Sequence, residues 1–353
     1  MSLAADRDAV VRPLREESAG GEEHVAPGPC PEISIVSPLH NERQSLEMLL
    51  EECRAVLEDP AQDWSALDLE DGRTTPSWEL VFVDDGSNDG SWSLIRDLAE
   101  RNPEVHGLRL RRNLGKSAAL QVGFSHARAP VVISLDADLQ DDPREIPRMV
   151  RLLGAGYDLV SGWKRKRHDS RARVAASRVF NFAVRRLYGV ELHDFNCGFK
   201  AYRADVVRDV RIYGELHRFI PVVAAFKGFR VGEIEVAHRS RRFGRSRYGW
   251  GRAFRGMMDL LTVLFLTRFH MRPAHFFGLP GALLMSVGIG CVGYVAWLRL
   301  AYGQIFSRHP LLIFGVLLSL AGLQLVTSGF LGEMLAAQLP RDDDSASVRE
   351  RVG

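Results

Sequence analysis

Two stretches near the C-terminus of this 353-residue chain leave the fewest choices. Residues 273–298 carry no formal charge apart from His275, and residues 310–332 carry none. Each run meets the roughly 20 residues that a helix needs to cross a hydrocarbon core of ~30 Å. Both are apolar on every face, whereas a helix of a soluble core shows a polar stripe. They are expected to be two membrane spans, which return the chain to the side it came from. Arg252, Arg255, Arg268 and Arg272 precede the first span, and Arg341, Arg349 and Arg351 follow the second. The connecting loop has only Arg299 and Arg308. That bias predicts a cytoplasmic N-terminal part and tail, with a short loop outside.

What precedes the spans is long enough for one sizeable α/β domain. A net charge of +2 provides no global field that would argue for nucleic acid. The charge is clustered instead. Lys164, Arg165, Lys166, Arg167, Arg171, Arg173, Arg178, Arg185 and Arg186 face one acid, Asp169, and a second basic cluster runs over residues 239–255. Such blocks indicate a solvated or membrane-facing surface, and sometimes an anion site. The four cysteines, Cys30, Cys53, Cys197 and Cys291, are scattered without metal spacing. Reduced thiols in a cytosol-facing protein are expected. Residues 1–31 are charged, rich in Gly and Pro and lack an apolar run. They read as a disordered tail, not a signal peptide.

From residue 32 onward, short apolar runs alternate with helical periodicity. Strands are expected at residues 33–37, 79–83, 105–110 and 131–135, with a fifth beginning at 158–161. Helices are expected near residues 42–57, 92–101 and 117–127, and a loop at 59–77. This pattern predicts βαβ units on a mostly parallel sheet with helices on both faces. Ligands of such sheets sit beyond the carboxyl ends of the strands. There the sequence places PLHNE (residues 38–42), DDGSNDG (84–90) and DADLQDDP (136–143). Each alone is an ordinary turn or helix cap. Three on one edge suit a nucleotide diphosphate, whose charge Mg²⁺ or Mn²⁺ neutralises through one or two carboxylates. Asp136 and Asp138 are two apart and share a face of an extended segment, with Gln140 as a neutral oxygen donor. The LGKS of residues 114–117 is no phosphate loop, because Leu110 stands where the first glycine would be. It is expected to cap the next helix.

The set PLHNE, VDDGSNDG, RNLGKSAAL and LDADLQDDP resembles the inverting family 2 glycosyltransferases of GT-A fold. Within them it resembles the polyprenyl-phosphate branch, which includes dolichol-phosphate mannose synthase and the bacterial undecaprenyl-phosphate glucosyl and aminoarabinose transferases. The resemblance implies that Pro38, His40 and Glu42 line the nucleotide pocket, with Val83 and Asp85 beside base and ribose. It implies that Asp136 and Ala137 meet the diphosphate, while Asp138 and Gln140 hold the metal. HRSRRFGRSRY (residues 238–248) resembles the family's loop over the donor. The resemblance implies that Arg241 and Arg247 contact the donor there, with Arg247 replacing the usual lysine. DFNCGFKAYR (194–203) resembles the segment that shapes the acceptor side.

Arg165 and Arg178 are candidates to grip an acceptor phosphate by bidentate hydrogen bonds. The expected divisions are a tail (1–31), a catalytic domain (32–250), interfacial helices (251–272), two spans (273–338) and a cytoplasmic tail (339–353). The partners implied are a nucleotide sugar, a polyprenyl phosphate and the inner membrane, with self-association left open. A processive polysaccharide synthase and an inactive membrane scaffold on the same fold are the alternative readings. The first lacks its Gln-x-x-Arg-Trp motif here, and the intact acidic turns speak against the second.

Overall fold

A computed structural model describes residues 30–69, 72–165, 181, 184–186, 188–212, 214, 216–239, 265, 273–304 and 307–338. The tail expected over 1–31, the interfacial helices over 251–272 and the tail 339–353 lie outside these residues, apart from residues 30, 31 and 265.

The apolar runs form the strands expected of them. β1 (Ile33–Leu39), β2 (Trp78–Asp84), β3 (Val105–Arg109), β4 (Val131–Ser134) and β5 (Leu159–Trp163) alternate with four helices. These are α1 (Leu46–Leu57), α2 (Ser91–Arg101), α3 (Lys116–His126) and α4 (Ile146–Gly154). β6 (Lys200–Arg203) and β7 (Val231–Glu235), with α5 (Ala204–Asp209) and α6 (Ile220–Phe226) between them, complete the domain. All seven strands make one sheet in the order β3-β2-β1-β4-β6-β5-β7. Only β6 runs antiparallel to its neighbours, β4 and β5; the other pairings are parallel.

Strand periodicity explains why the runs are apolar throughout. Along β2, Leu80 and Phe82 belong to the core on the face covered by α1, α2 and α4, while Val81 and Val83 belong to the core on the other face, which includes α3, α5 and α6. A strand covered on both faces has no polar side to show. α1 buries Leu46, Leu49, Leu50, Cys53 and Leu57, one helical stripe against the sheet. The connection before β2 also contributes to the core, through Trp64.

α7 (Pro273–Tyr302) and α8 (His309–Gln338) are each 30 residues long and apolar enough to cross a membrane. Their large side chains face outward, with Leu279 78% and Leu300 88% exposed. A helix of a soluble core would bury them. The two backbones meet at glycines. A Cβ on Gly288 would lie 2.4 Å from Ser319 Oγ, and one on Gly322 2.5 Å from the Gly281 carbonyl. In hydrocarbon, such close approach is what draws helices together. Glu333 in α8 accepts a hydrogen bond from the Ala274 amide at 3.0 Å, which satisfies one free donor of the first turn of α7.

Candidate active site

β1, β2 and β4 end at one edge of the sheet. β5 ends there too, since both it and β4 run opposite to β6. The first two turns are tied to each other. His40 Nδ1 lies 2.8 Å from the Asp85 carbonyl, and the Asn41 amide donates to Ser87 Oγ at 2.9 Å. The Asn88 amide returns a bond to Asn41 Oδ1 at 2.9 Å. Pro38 is buried in β1, whereas His40 and Glu42 are half-buried.

Asp85 is buried with both carboxylate oxygens engaged. They accept from the amides of Leu114 at 2.7 Å and Gly115 at 2.9 Å, so the carboxylate anchors the loop that leads into α3. The Val83 side chain is fully buried among Val36, Val81 and Leu120, which leaves only its backbone at the rim. Ala137 is likewise buried, at 2% exposure.

Asp136 is already ion-paired. Lys116 Nζ lies 2.5 and 2.7 Å from its two oxygens, so the lysine of LGKS reaches into the site besides opening α3. Burial works against the Asp136 charge, but Lys116, with Lys164 and Lys200, outweighs it and holds the carboxyl below its usual range. Gly198 leaves the space for this pair, since a Cβ there would stand 2.6 Å from Asp136 Oδ2. Asp138 and Gln140 are half-buried on the same turn, and Asp138 Oδ1 accepts from the Gln140 amide at 3.2 Å. Between them Leu139 is 1% exposed and has φ +60, a left-handed conformation costing a bulky residue roughly 1–3 kcal/mol.

Lys164 corrects the expectation of a solvated basic block. Its side chain is 13% exposed and lies 2.5 Å from Oδ1 of the fully buried Asp141. Burial disfavours its charge, yet Asp141 more than compensates and raises the ammonium above the usual lysine range. Strand alternation was the available signal: Val160 is buried on one face of β5, and Lys164, four residues on, continues that face. Lys200, also missed, is buried and donates to the Cys197 carbonyl, and burial lowers its pKa. Burial pushes the Cys197 thiol up to about 12, which keeps it unreactive at neutral pH.

Arg165 is exposed, 3.4 Å from Glu235, with its guanidinium carbon 5.9 Å from the Trp163 ring centre. Trp163 in turn stacks on His193 at 4.3 Å. The other candidate cations, Arg178, Arg241 and Arg247, lie outside the described residues.

Asp138 and Gln140 offer hard oxygens from one turn. Among the described residues no three His, Cys, Asp or Glu side chains gather into a closed cage. That donor set fits a divalent cation whose remaining positions go to phosphate oxygens, as for Mg²⁺. Asp136 can join it while paired with Lys116, since a carboxylate offers about four lone-pair sites.

A doubly wound sheet with helices on both faces and an acidic turn at the end of β4 is the GT-A architecture. More narrowly, the chain belongs to Glycosyl transferase family 2, whose profile matches residues 34–211. It is 37% identical over 318 residues to dodecaprenyl-phosphate galacturonate synthase of Rhizobium johnstonii, covering 89% of this chain and 90% of that protein. It is 33% identical over 308 residues to undecaprenyl-phosphate 4-deoxy-4-formamido-L-arabinose transferase of Salmonella enteritidis PT4, covering 87% and 89%. Among solved structures, glucosyl-3-phosphoglycerate synthase from Mycobacterium tuberculosis, in complex with Mn²⁺, UDP-glucose and phosphoglyceric acid, shares the fold. Its TM-score is 0.50 at 19% identity, over 66% of this chain and 79% of that one. The relatives' names agree with the polyprenyl-phosphate branch that the motifs resemble.

Proposed function

We propose that this enzyme transfers a sugar, with inversion, from a UDP- or GDP-sugar to a polyprenyl phosphate at the cytoplasmic face of the inner membrane. The observation that carries the reading is the DADLQDD turn at the catalytic edge of a chain that also ends in two span-length apolar helices. Relatives whose names carry dodecaprenyl-phosphate and undecaprenyl-phosphate, alike over nearly nine-tenths of the chain, support the lipid acceptor. The divisions at residues 31, 250, 272 and 338 belong to the same proposal.

In this reading His40, Glu42 and the Asp85 turn frame the nucleoside. Asp138 and Gln140, with Asp136, hold Mg²⁺ or Mn²⁺. Bound there, the cation supplies charge neutralisation to the departing diphosphate. Arg241 and Arg247 contact the donor, and Arg165 and Arg178 grip the acceptor phosphate by their guanidinium forks. A phosphate monoester, with a second pKa near ~6, is largely ionised at neutral pH and needs no strong base. What remains for the protein is positioning and charge stabilisation.

The test is transfer of label from nucleotide sugars to polyprenyl phosphate by the purified full chain with Mn²⁺. Asp138→Asn is expected to lower kcat by about a hundredfold or more, as for loss of a group that acts on transition-state charge. Full activity in that variant would remove Asp138 from the cation site.

A further inference from the structure

The turn that carries Asp138 and Gln140 is held from outside by Arg239, a residue with no role in the reading above. Its amide donates to the Gln140 carbonyl at 2.9 Å. Its neighbour His238 forms an antiparallel bridge with Asp141. Its guanidinium lies 2.7 Å from Asp142 Oδ2, and its other nitrogen donates to both Glu52 oxygens at 2.9 and 2.7 Å. Main chain and side chain thus grip residues 140–142 together and root them in α1, whose buried stripe belongs to the core.

This grip is more than a surface ion pair. The Arg239, Glu52 and Asp142 side chains are 22%, 26% and 13% exposed, so solvent screens them poorly. The turn they hold contains Leu139 at φ +60. A buried leucine keeps that backbone only where its surroundings over-determine it. Relaxation of Leu139 would rotate the peptides on either side, and those peptides orient Asp138 and Gln140. A partner that orients oxygen donors without touching the ion commonly sets the ion's affinity.

We propose that Arg239 is a positioning residue for divalent-cation binding: by joining Glu52 and Asp142 to the Gln140 carbonyl, it holds the strained turn that presents Asp138 and Gln140. The inference rests on the proposed cation site and adds a residue to it. Lysine cannot replace the arginine fully, because an ammonium lacks the planar fork that serves two carboxylates at once.

The experiment is Mn²⁺ binding to the full chain in detergent with UDP or GDP present, read as free Mn²⁺ by electron paramagnetic resonance. Measurements are made well below each variant's unfolding midpoint. Arg239→Gln is expected to weaken Mn²⁺ about 10- to 100-fold, with activity returning at high Mn²⁺. Arg239→Lys should fall between it and the unaltered protein. Glu52→Gln, which keeps the turn contacts and loosens the root in α1, should weaken Mn²⁺ less and covers the case in which Arg239→Gln fails to fold. Unchanged Mn²⁺ affinity in both Arg239→Gln and Glu52→Gln, whatever their unfolding midpoints, overturns the inference. If the unaltered protein binds no Mn²⁺ with either nucleotide, the cation site itself fails, and Arg239 with it.

Discussion

Lys164 and Asp141 show how much one buried pair can demand. The carboxylate is fully buried and has the ammonium 2.5 Å away. Lys164→Met would strand that charge at a cost of about 3–5 kcal/mol, measurable as a drop in unfolding midpoint. Adding Asp141→Asn should recover part of the loss, and no recovery would mean that the pair is not the cause. Glu32 makes a milder case at the start of β1. Burial opposes its charge, but the Ser77 hydrogen bonds and Arg73 hold its carboxyl below the ordinary 4.5. Its folded pKa is depressed, so the stability it contributes is present above 4.5 and is lost as pH falls through the lower folded value. Midpoints followed from about pH 6 to about pH 3 should fall less steeply in Glu32→Gln than in the unaltered protein. Parallel slopes would rule this group out.

Among the elements, the helical hairpin makes the sharpest demand on residue size. A Cβ on Gly322 would stand 2.5 Å from both the Gly281 carbonyl and the Met285 amide, whereas one on Gly290 would meet nothing within 4 Å. Gly322→Val should therefore cost about 1–3 kcal/mol through overpacking, and Gly290→Val almost nothing. Thermal unfolding in detergent compares them, and equal midpoints would sink the packing argument. β6 teaches the complementary lesson. Four residues, KAYR, join β4 to β5, and so segment too short for a period to show brings Lys164 to the edge that holds Asp136.

For the molecule as a whole, the two helices and the sheet domain carry a topological prediction. If the domain faces the cytoplasm, a membrane-impermeant maleimide applied to intact cells should label Gln304→Cys in the hairpin loop and spare the exposed Cys30. Labelling of Cys30 in intact cells would reverse the orientation drawn from the arginine bias. Most of the fold was legible at this scale. The expected strands at 33–37, 79–83, 105–110 and 131–135 match β1 to β4 within a few residues, because full burial writes itself as a continuous apolar run. The candidate site was legible as three turns on one edge, but its internal pairings were not.

The uncharged runs, the alternation of strand and helix, and the acidic turns after β1, β2 and β4 are local patterns, readable from neighbours along the chain. They determined two span-length helices, a largely parallel sheet and the edge that holds the candidate site. Tertiary structure alone decided that Lys116 pairs with Asp136, Lys164 with Asp141, and Arg239 with both Glu52 and Asp142. These partners are brought together by strand order and packing, and the segments between them carry no mark of the contact. A lysine in a solvated basic run and a lysine beneath an acidic turn look alike in sequence. They differ only in which atoms the fold removes from water.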